Sequence, residues 1–184
     1  MDYAMTLRLP CPARTDASIA PFTTFGMGGS PRLLVEPRNR DELVTAVRTL
    51  RAEGLRFRML GGGANVIVDH HGLDEVVVLT TGFSFMQREG DDTRVVRLAA
   101  GLPIPTFIAR MRELGQTGAE RLVGIPGTIG GATVMNAGGR HGWLSDLVRR
   151  VRVLLPSGEE DEWPMEEEWS EAGESESRDA PRRR

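Results

Sequence analysis

Short apolar runs and one helical period divide the first half of the chain into alternating elements. Residues 55–59 alternate apolar side chains with arginines, which is the period of a half-buried strand. Residues 43–50 carry apolar side chains at helical spacing, with Asp41 as the predicted N-cap and Gly54 as the stop. These patterns predict a first unit of type β-α-β-loop-β-β, whose other strands are the runs 33–35, 66–68 and 76–79.

The second half of the chain repeats a strand and a helix and then becomes rich in glycine. Residues 95–99 predict a strand, and apolar side chains at helical spacing between Ile104 and Met111 predict a helix that stops at Gly115. Residues 151–155 alternate with arginines as a further strand, and 156–158 form a turn. The prediction is an α+β fold with two α/β subdomains, about 21–85 and 93–158, after an N-terminal lead-in at 1–20.

Composition narrows the class of protein. A chain of 184 residues with 40% hydrophobic positions is long enough for one globular domain or two small ones. A single cysteine excludes an internal disulfide and favours a reducing compartment. We find neither a signal peptide nor an apolar stretch approaching the ~20 residues that cross a bilayer. The expectation is therefore a cytoplasmic protein without a membrane partner.

Charge is distributed unevenly along the chain. Residues 159–184 carry eleven acidic residues against four arginines, a net charge of −7, and have few aliphatic side chains. This composition predicts a disordered acidic tail from residue 159. The other 158 residues carry fifteen acids and nineteen arginines, a net charge of +4. A weakly basic body suits a phosphate-bearing ligand but does not predict nucleic-acid binding.

A glycine cluster follows the predicted strand at 55–59. This first glycine loop, Gly61–Asn65, has three consecutive glycines, which permit positive φ and leave no Cβ in the way of a ligand. Successive backbone N–H groups in such a turn can form an anion-binding nest, and a pyrophosphate suits that geometry. Asn65 adds an amide that can both donate and accept. The alternative is a tight turn between strands that binds nothing.

A second glycine loop, Gly124–Gly131, is longer and contains Pro126, which stiffens it. Thr128 is predicted to cap a helix beginning near Ile129, whose free N–H groups would then face an anion. Residues 136–139 continue a surface of small side chains, as close packing on a flat cofactor requires. The alternative is a glycine-rich surface loop, although long loops of this kind are usually functional.

Other chemistry finds little support. Neither loop is a G-x-G-x-x-G fingerprint, and a chain without lysine cannot carry a Walker motif. His70 and His71 are adjacent, so their side chains are expected to point in different directions and to hold no metal. His141 is expected to be exposed, and Cys11 has no basic partner that would mark a nucleophile. The sequence thus predicts no catalytic residue and no metal ligand.

Four motifs occur in order and at regular intervals: 24–29 (TFGMGG), 61–65 (GGGAN), 124–131 (GIPGTIGG) and 135–138 (MNAG). As a set they closely resemble the UDP-N-acetylenolpyruvoylglucosamine reductase family, which belongs to the vanillyl-alcohol oxidase and p-cresol methylhydroxylase flavoproteins. The resemblance implies FAD bound between the two subdomains, NADPH as reductant and a UDP-sugar enolpyruvyl ether as substrate in peptidoglycan synthesis. Together with the loops it predicts these cofactor-binding residues: Gly61, Gly62, Gly63, Ala64, Asn65, Val66, Gly124, Pro126, Gly127, Thr128, Gly130, Gly131 and Asn136.

The chain also departs from this family. Members continue into a third, substrate-binding domain that supplies a proton-donating serine, and this domain is expected to be missing here. The nearest local match to the family's Tyr-Arg-x-Ser motif is 177–180, which contains Arg178 but neither the tyrosine nor the serine. A truncated gene or a shifted reading frame would explain the acidic tail. Two alternatives to the reductase therefore stand: a non-catalytic FAD-binding module, and an FAD oxidase of the same superfamily with another substrate.

Overall fold

A mostly parallel β-sheet forms the first half of the computed structural model, which describes residues 7–90, 92, 94–155 and 157–165. The strands are β1 (Ala13–Arg14), β2 (Pro31–Val35), β3 (Phe57–Leu60) and β4 (Leu73–Leu79). Helix α1 (Arg40–Ala52) follows β2, and the four strands lie in the order β1-β2-β4-β3. β1 is antiparallel to β2, whereas β2 and β3 both run parallel to β4.

Both faces of this sheet are buried, because successive residues of β2 and β4 point to opposite sides. The buried residues shared by one face and α1 are Leu7, Leu33, Val35, Ala46, Leu50, Val76 and Val78. The other face packs against loop segments and the short 3-10 helix Ala20–Phe22, and its buried residues are Ile19, Leu34, Leu60, Val68, Val77 and Leu79. A sheet covered on both faces requires continuous apolar strands, which explains why β4 ends in a run of buried residues.

The second half is built from three two-stranded antiparallel ribbons around two helices. The helices are α2 (Ile104–Glu113) and the six-residue α3 (Ile129–Val134). The ribbons pair β5 (Met86–Arg88) with β6 (Val96–Leu98), β7 (Gly138–Gly139) with β8 (Gly142–Trp143), and β9 (Arg150–Leu154) with β10 (Glu160–Pro164). One core joins the two helices with the short helical turns at 119–122 and 144–147, and its buried residues are Leu102, Ile104, Phe107, Met111, Ala119, Leu122, Ile129, Ala132 and Leu144. The predicted α+β fold is confirmed.

Two local predictions in the first half are wrong. The N-cap of α1 is Asn39 rather than Asp41, because the extended Asn39 accepts the N–H of Glu42 at 2.9 Å. The carboxylate of Glu42 reaches back to the side chain of Asn39 and to the backbone of Arg38. Residues 66–68 form no strand, although Val68 is buried against the sheet. Their apolar side chains serve packing without ladder hydrogen bonds, which periodicity alone does not distinguish from a strand.

The first residues of the acidic segment 159–184 form a strand, which the sequence does not predict. Residues 160–164 form β10 and pair with β9 in full register, so the prediction of a disordered tail from residue 159 is wrong for its first residues. The reason is charge pairing: Glu160 forms a two-pronged ion pair with Arg40 of α1, and Glu162 contacts Arg150 and Arg152 of the neighbouring strand. Residues 166–184, including Arg178 and the 177–180 match, lie outside the described residues.

None of the helices within the described ranges is both long and apolar enough to cross a membrane.

Two shortened chains test the boundary of the folded body. A chain ending at Met165 keeps β10, and we expect its thermal midpoint to equal that of the full chain. A chain ending at Glu159 loses the pairs of β10 with β9, worth about 0.2–1 kcal/mol each, and the ion pair to Arg40. Its midpoint, followed by circular dichroism, should be lower. Equal midpoints for the two shortened chains would show that β10 contributes nothing.

Candidate cofactor-binding site

The first glycine loop begins directly at the carboxyl end of β3, where a parallel sheet opens towards a ligand. Its position is set by the segment before β2, because the N–H of Thr24 donates to the carbonyl of Gly63 at 3.1 Å. Gly63 has φ +61°, and a Cβ at this residue would overlap the carbonyl oxygen of Phe22. Only glycine satisfies both the backbone angle and the close approach.

The two glycine loops lie against each other across the boundary between the subdomains. A Cβ built on Gly61 would stand 2.6 Å from Oγ1 of Thr128, and one on Gly62 would stand 3.0 Å from Cα of Gly127. Gly127 in turn would place its Cβ 3.4 Å from Ala64. Segments more than sixty residues apart therefore meet through backbone and small side chains, and the structure brings the core of the two predicted site segments together.

The backbone N–H groups of the first loop have no acceptor in the described part of the protein. Among the hydrogen bonds of the described residues, none is donated by the N–H groups of residues 61–65. Gly63 is buried, and Gly61, Gly62 and Ala64 are half-buried, so these groups are only partly compensated by water. Grouped N–H donors without protein acceptors form the kind of concave site that binds anionic groups.

The second glycine loop is held differently from the sequence prediction. The N–H groups of Ile129 and Gly130 donate to the carbonyls of Leu102 and Ala100, at 2.9 and 2.8 Å. The prediction that free N–H groups at the start of α3 face an anion is therefore wrong for these two donors. A β-bridge between Pro103 and Thr128 also attaches the loop to residues 100–103. This is a tertiary contact, which the sequence pattern of the loop does not predict.

Gly130 has a packing reason of its own. A Cβ on Gly130 would stand 2.7 Å from the Cβ of Ala100, so a larger residue would separate the loop from the segment before α2. Gly131 lies on the opposite side of the turn, where a Cβ would meet nothing closer than 3.7 Å. Gly124, Pro126 and Gly131 are exposed and reachable from outside.

Thr128 is the polar side chain at the centre of this contact. It occupies the N-cap position of α3 but makes no side-chain cap hydrogen bond, although capping was its predicted role. Its residue is 3% exposed, and Oγ1 has no hydrogen-bond partner within the described part of the chain. A buried hydroxyl without a partner costs stability unless a ligand or water satisfies it. Oγ1 stands beside the first glycine loop and so fits a cofactor with hydrogen-bonding groups there.

Asn136 and Val66 lie at the edges of the predicted site. The side-chain oxygen of Asn136 accepts the N–H of Ser145 at 3.1 Å, and Asn136 itself has φ +40°. This contact holds the short helical turn at 144–147 against the end of α3. Val66 packs beside the apolar core of the sheet. Cofactor contacts of both residues, like those of the exposed Asn65, remain predictions.

The segment 23–29 belongs to the surroundings of the first loop and is absent from the predicted site residues. Thr23 Oγ1 accepts the N–H of Met27 at 3.2 Å and so closes a tight turn beside Thr24 and Gly63. Phe25 and Met27 are 60% and 56% exposed on this turn. The TFGMGG motif at 24–29 could have indicated that this segment lies near the cofactor site. The motif supports the family resemblance, but none of its residues is among the predicted cofactor-binding residues.

Two further predictions concern reactive side chains. Burial raises the pKa of the Cys11 thiol to about 11, and nearby Glu42 adds to the shift, so this cysteine lacks the thiolate character of a nucleophile. His70 and His71 do not point in different directions, because their ring centroids are 3.7 Å apart and both Nδ1 atoms contact Oδ1 of Asp69. A tight turn, unlike a strand, allows neighbouring side chains to converge.

Comparison with known proteins agrees with the geometry. A family model described as an FAD binding domain matches residues 31–161, which include both glycine loops. The match covers most of the chain, and this chain therefore belongs to the family of FAD-binding domains.

Two curated relatives and one solved structure carry the name of the same enzyme. A UDP-N-acetylenolpyruvoylglucosamine reductase of Nostoc sp. (strain PCC 7120) is 36% identical over 148 residues, which are 80% of this chain and 44% of that protein. One from Anaeromyxobacter dehalogenans is 41% identical over 144 residues, or 78% and 43%. The crystal structure of the reductase from Thermus caldophilus superposes with a TM-score of 0.64 at 28% identity, over 84% of this chain and 53% of that one. The chain thus spans less than half the length of the two curated relatives.

Replacement of Thr128 by valine tests whether its hydroxyl lacks a partner in the protein alone. Valine keeps the shape and removes the buried polar atom, whose burial without a partner costs about 1–3 kcal/mol. In the absence of cofactor, Thr128→Val should be at least as stable as wild type in urea unfolding. Thr128→Ser keeps the hydroxyl but loses the methyl group, and should be less stable. A clear loss of stability in Thr128→Val would mean that Oγ1 is satisfied by the protein.

Proposed function

We propose that this chain is the FAD-binding part of a reductase that converts the enolpyruvyl ether of UDP-N-acetylglucosamine to UDP-N-acetylmuramate, with NADPH as reductant. The proposal is supported by the printed names of the relatives in Nostoc and Anaeromyxobacter and by the superposition on the reductase of Thermus caldophilus. It places the protein in the cytoplasm, in peptidoglycan synthesis and hence in cell-wall growth, cell shape and division.

The observation that carries the proposal is the contact between the two glycine loops. The first loop contributes N–H groups that donate a hydrogen bond to no described residue. The second loop contributes the buried hydroxyl of Thr128. We infer that these donors hold the pyrophosphate of FAD, because an anion satisfies all of them at once. Gly62 and Gly127 let the two loops approach each other closely, which brings the polar groups of both loops together.

The division of labour follows from this arrangement. Bound FAD would supply the hydride chemistry that no side chain of the chain can perform. The residues of the chain bind and orient the cofactor and exclude water from its phosphate groups, where a lower dielectric strengthens each hydrogen bond. The described residues contain no cluster of titratable side chains at the loops that would mark a general acid, so we assign them a binding role.

Gly62→Val tests the assignment of the first loop. The added Cβ would stand 3.0 Å from Cα of Gly127 and 3.3 Å from Cγ2 of Thr128, so the two loops must separate. Overpacking of this kind costs about 1–3 kcal/mol, and FAD affinity should fall about 10- to 100-fold. Quenching of flavin fluorescence measures the dissociation constant.

Ala52→Val is the control, because Ala52 is exposed at the end of α1 and belongs to neither glycine loop. Gly72 is unsuitable as a control, since a Cβ there would overlap the carbonyl oxygen of Ser30 at φ +90°. Unchanged affinity in Gly62→Val, or an equal loss in Ala52→Val, would contradict the assignment.

The reaction itself gives a second test. Reduction of the enolpyruvyl ether consumes one hydride from NADPH and one proton, and leaves NADP⁺ and the lactyl ether. Because the chain spans less than half the length of its curated relatives, we expect the 184 residues alone to bind FAD but to make almost no product. A missing general acid accounts for about 10²–10⁴ in rate.

The assay follows UDP-N-acetylmuramate formation by mass spectrometry under anaerobic conditions. Turnover at enzymatic rates would contradict the binding-only prediction for these residues and establish the reductase activity. In a parallel assay under air, oxidation of an alternative substrate by oxygen, without reduction of the enolpyruvyl ether in the anaerobic assay, would favour an FAD oxidase. Tight FAD binding without turnover of any substrate, even after addition of the remaining part of a relative, would favour a non-catalytic FAD-binding module.

A further inference from the structure

A group of three metal-ligating side chains lies outside the cofactor site, in the turn that leads into β4. This metal turn consists of Asp69, His70 and His71, which offer one carboxylate oxygen and two imidazole nitrogens within 4.8 Å of one another. It is the one such group found among the described residues. Two histidines and a carboxylate form a donor set that suits zinc and its neighbours in the first transition row.

The distances within the metal turn are close to those of a bound site. Nδ1 of His70 lies 3.3 Å from Oδ1 of Asp69, and Nδ1 of His71 lies 2.8 Å from the same oxygen. Ligands on a tetrahedral zinc ion with bonds of about 2.0–2.1 Å stand roughly 3.3–3.4 Å apart. All three ligand atoms lie within 4.8 Å of one another, so an ion that displaces the hydrogen bond between His71 and Asp69 would have three protein ligands in reach.

The backbone of the turn is held by contacts outside the three side chains. The carbonyl of Asp69 accepts the N–H groups of Gly29 and Gly72, at 2.9 and 3.0 Å. The N–H of His71 donates to Oδ1 of Asp69 at 2.8 Å, which orients the carboxylate as an outer hydrogen bond would in a metal site. The cost of ordering the ligands is thus partly met before an ion arrives.

Exposure determines the kind of site. The side chains of His70, His71 and Asp69 are 83%, 79% and 64% exposed, so an ion reaches them freely and water can fill its fourth position. Open coordination by three protein ligands is typical of exchangeable rather than structural zinc sites. The glycine loops contribute no ligand, so the site operates independently of FAD.

We propose that the metal turn binds one Zn²⁺ per chain through Asp69, His70 and His71. The chain contains three histidines and one cysteine, so the alternative imidazole and thiolate ligands are each tested by a single substitution. His141 and Cys11 lie in other parts of the fold and supply the controls.

The experiment uses the full chain without a polyhistidine tag, freed of metal, and titrates ZnCl₂ against a chromophoric chelator. Wild type should bind one equivalent. His70→Ala, His71→Ala and Asp69→Asn should each bind at least about tenfold more weakly, since loss of a ligand costs no less than loss of an outer-shell partner. His141→Ala and Cys11→Ser should bind as wild type does. All five side-chain changes are checked for an unchanged thermal midpoint.

Two results of the titration would contradict the zinc site. Absence of saturable zinc binding by wild type would exclude the site, and undiminished affinity in both His70→Ala and His71→Ala would place the ion elsewhere. Since the titration needs neither FAD nor substrate, its outcome is separate from that of the flavin experiments.

Discussion

The structure depends on one contact in which two stretches of backbone meet with almost no side chain between them. Gly61 and Gly62 approach Thr128 and Gly127 so closely that a single Cβ would force the loops apart. This contact joins the parallel sheet of the first half to the ribbons and helices of the second. It also leaves backbone donors at the carboxyl end of β3 without protein acceptors. The glycines explain both features: without side chains the two loops approach closely, and the backbone N–H groups of the first loop have no side-chain acceptor beside them.

The surrounding structure holds the two loops in place by different means. The first loop follows a buried strand. The second loop is hydrogen-bonded to residues 100–103 through the carbonyls of Ala100 and Leu102. Arginine–carboxylate pairs act further out: Glu89 accepts from Arg97 and Arg150, which lowers its pKa, and Glu160 ties β10 to α1. Such exposed pairs are individually weak, so the buried contacts carry most of the stability.

Several polar groups of this fold make no hydrogen bond to another described residue. The buried hydroxyls of Thr128 and Ser145 have no partner among the described residues, and the first-loop N–H groups make no intrachain bond. Proteins tolerate such groups where a ligand or water completes them, and the family model that this chain matches describes an FAD binding domain. The metal turn differs, because its ligands are exposed and hydrated, and an ion would add order rather than relieve a buried cost.

Local pattern predicted β2, β3, β4, β6 and β9, both long helices and the two glycine loops, because hydrophobic period and glycine clusters act over a few residues. It did not predict the short strands β1, β5, β7 and β8 or the charged β10. The tertiary structure alone decided which segments meet. The contact of Gly62 with Gly127, the loss of free donors at Ile129 and Gly130, and the pairing of β10 all involve partners that no local pattern names. His70 and His71 converge for the same reason: the turn is shaped by hydrogen bonds to Gly29 and Gly72, and side-chain direction follows the backbone.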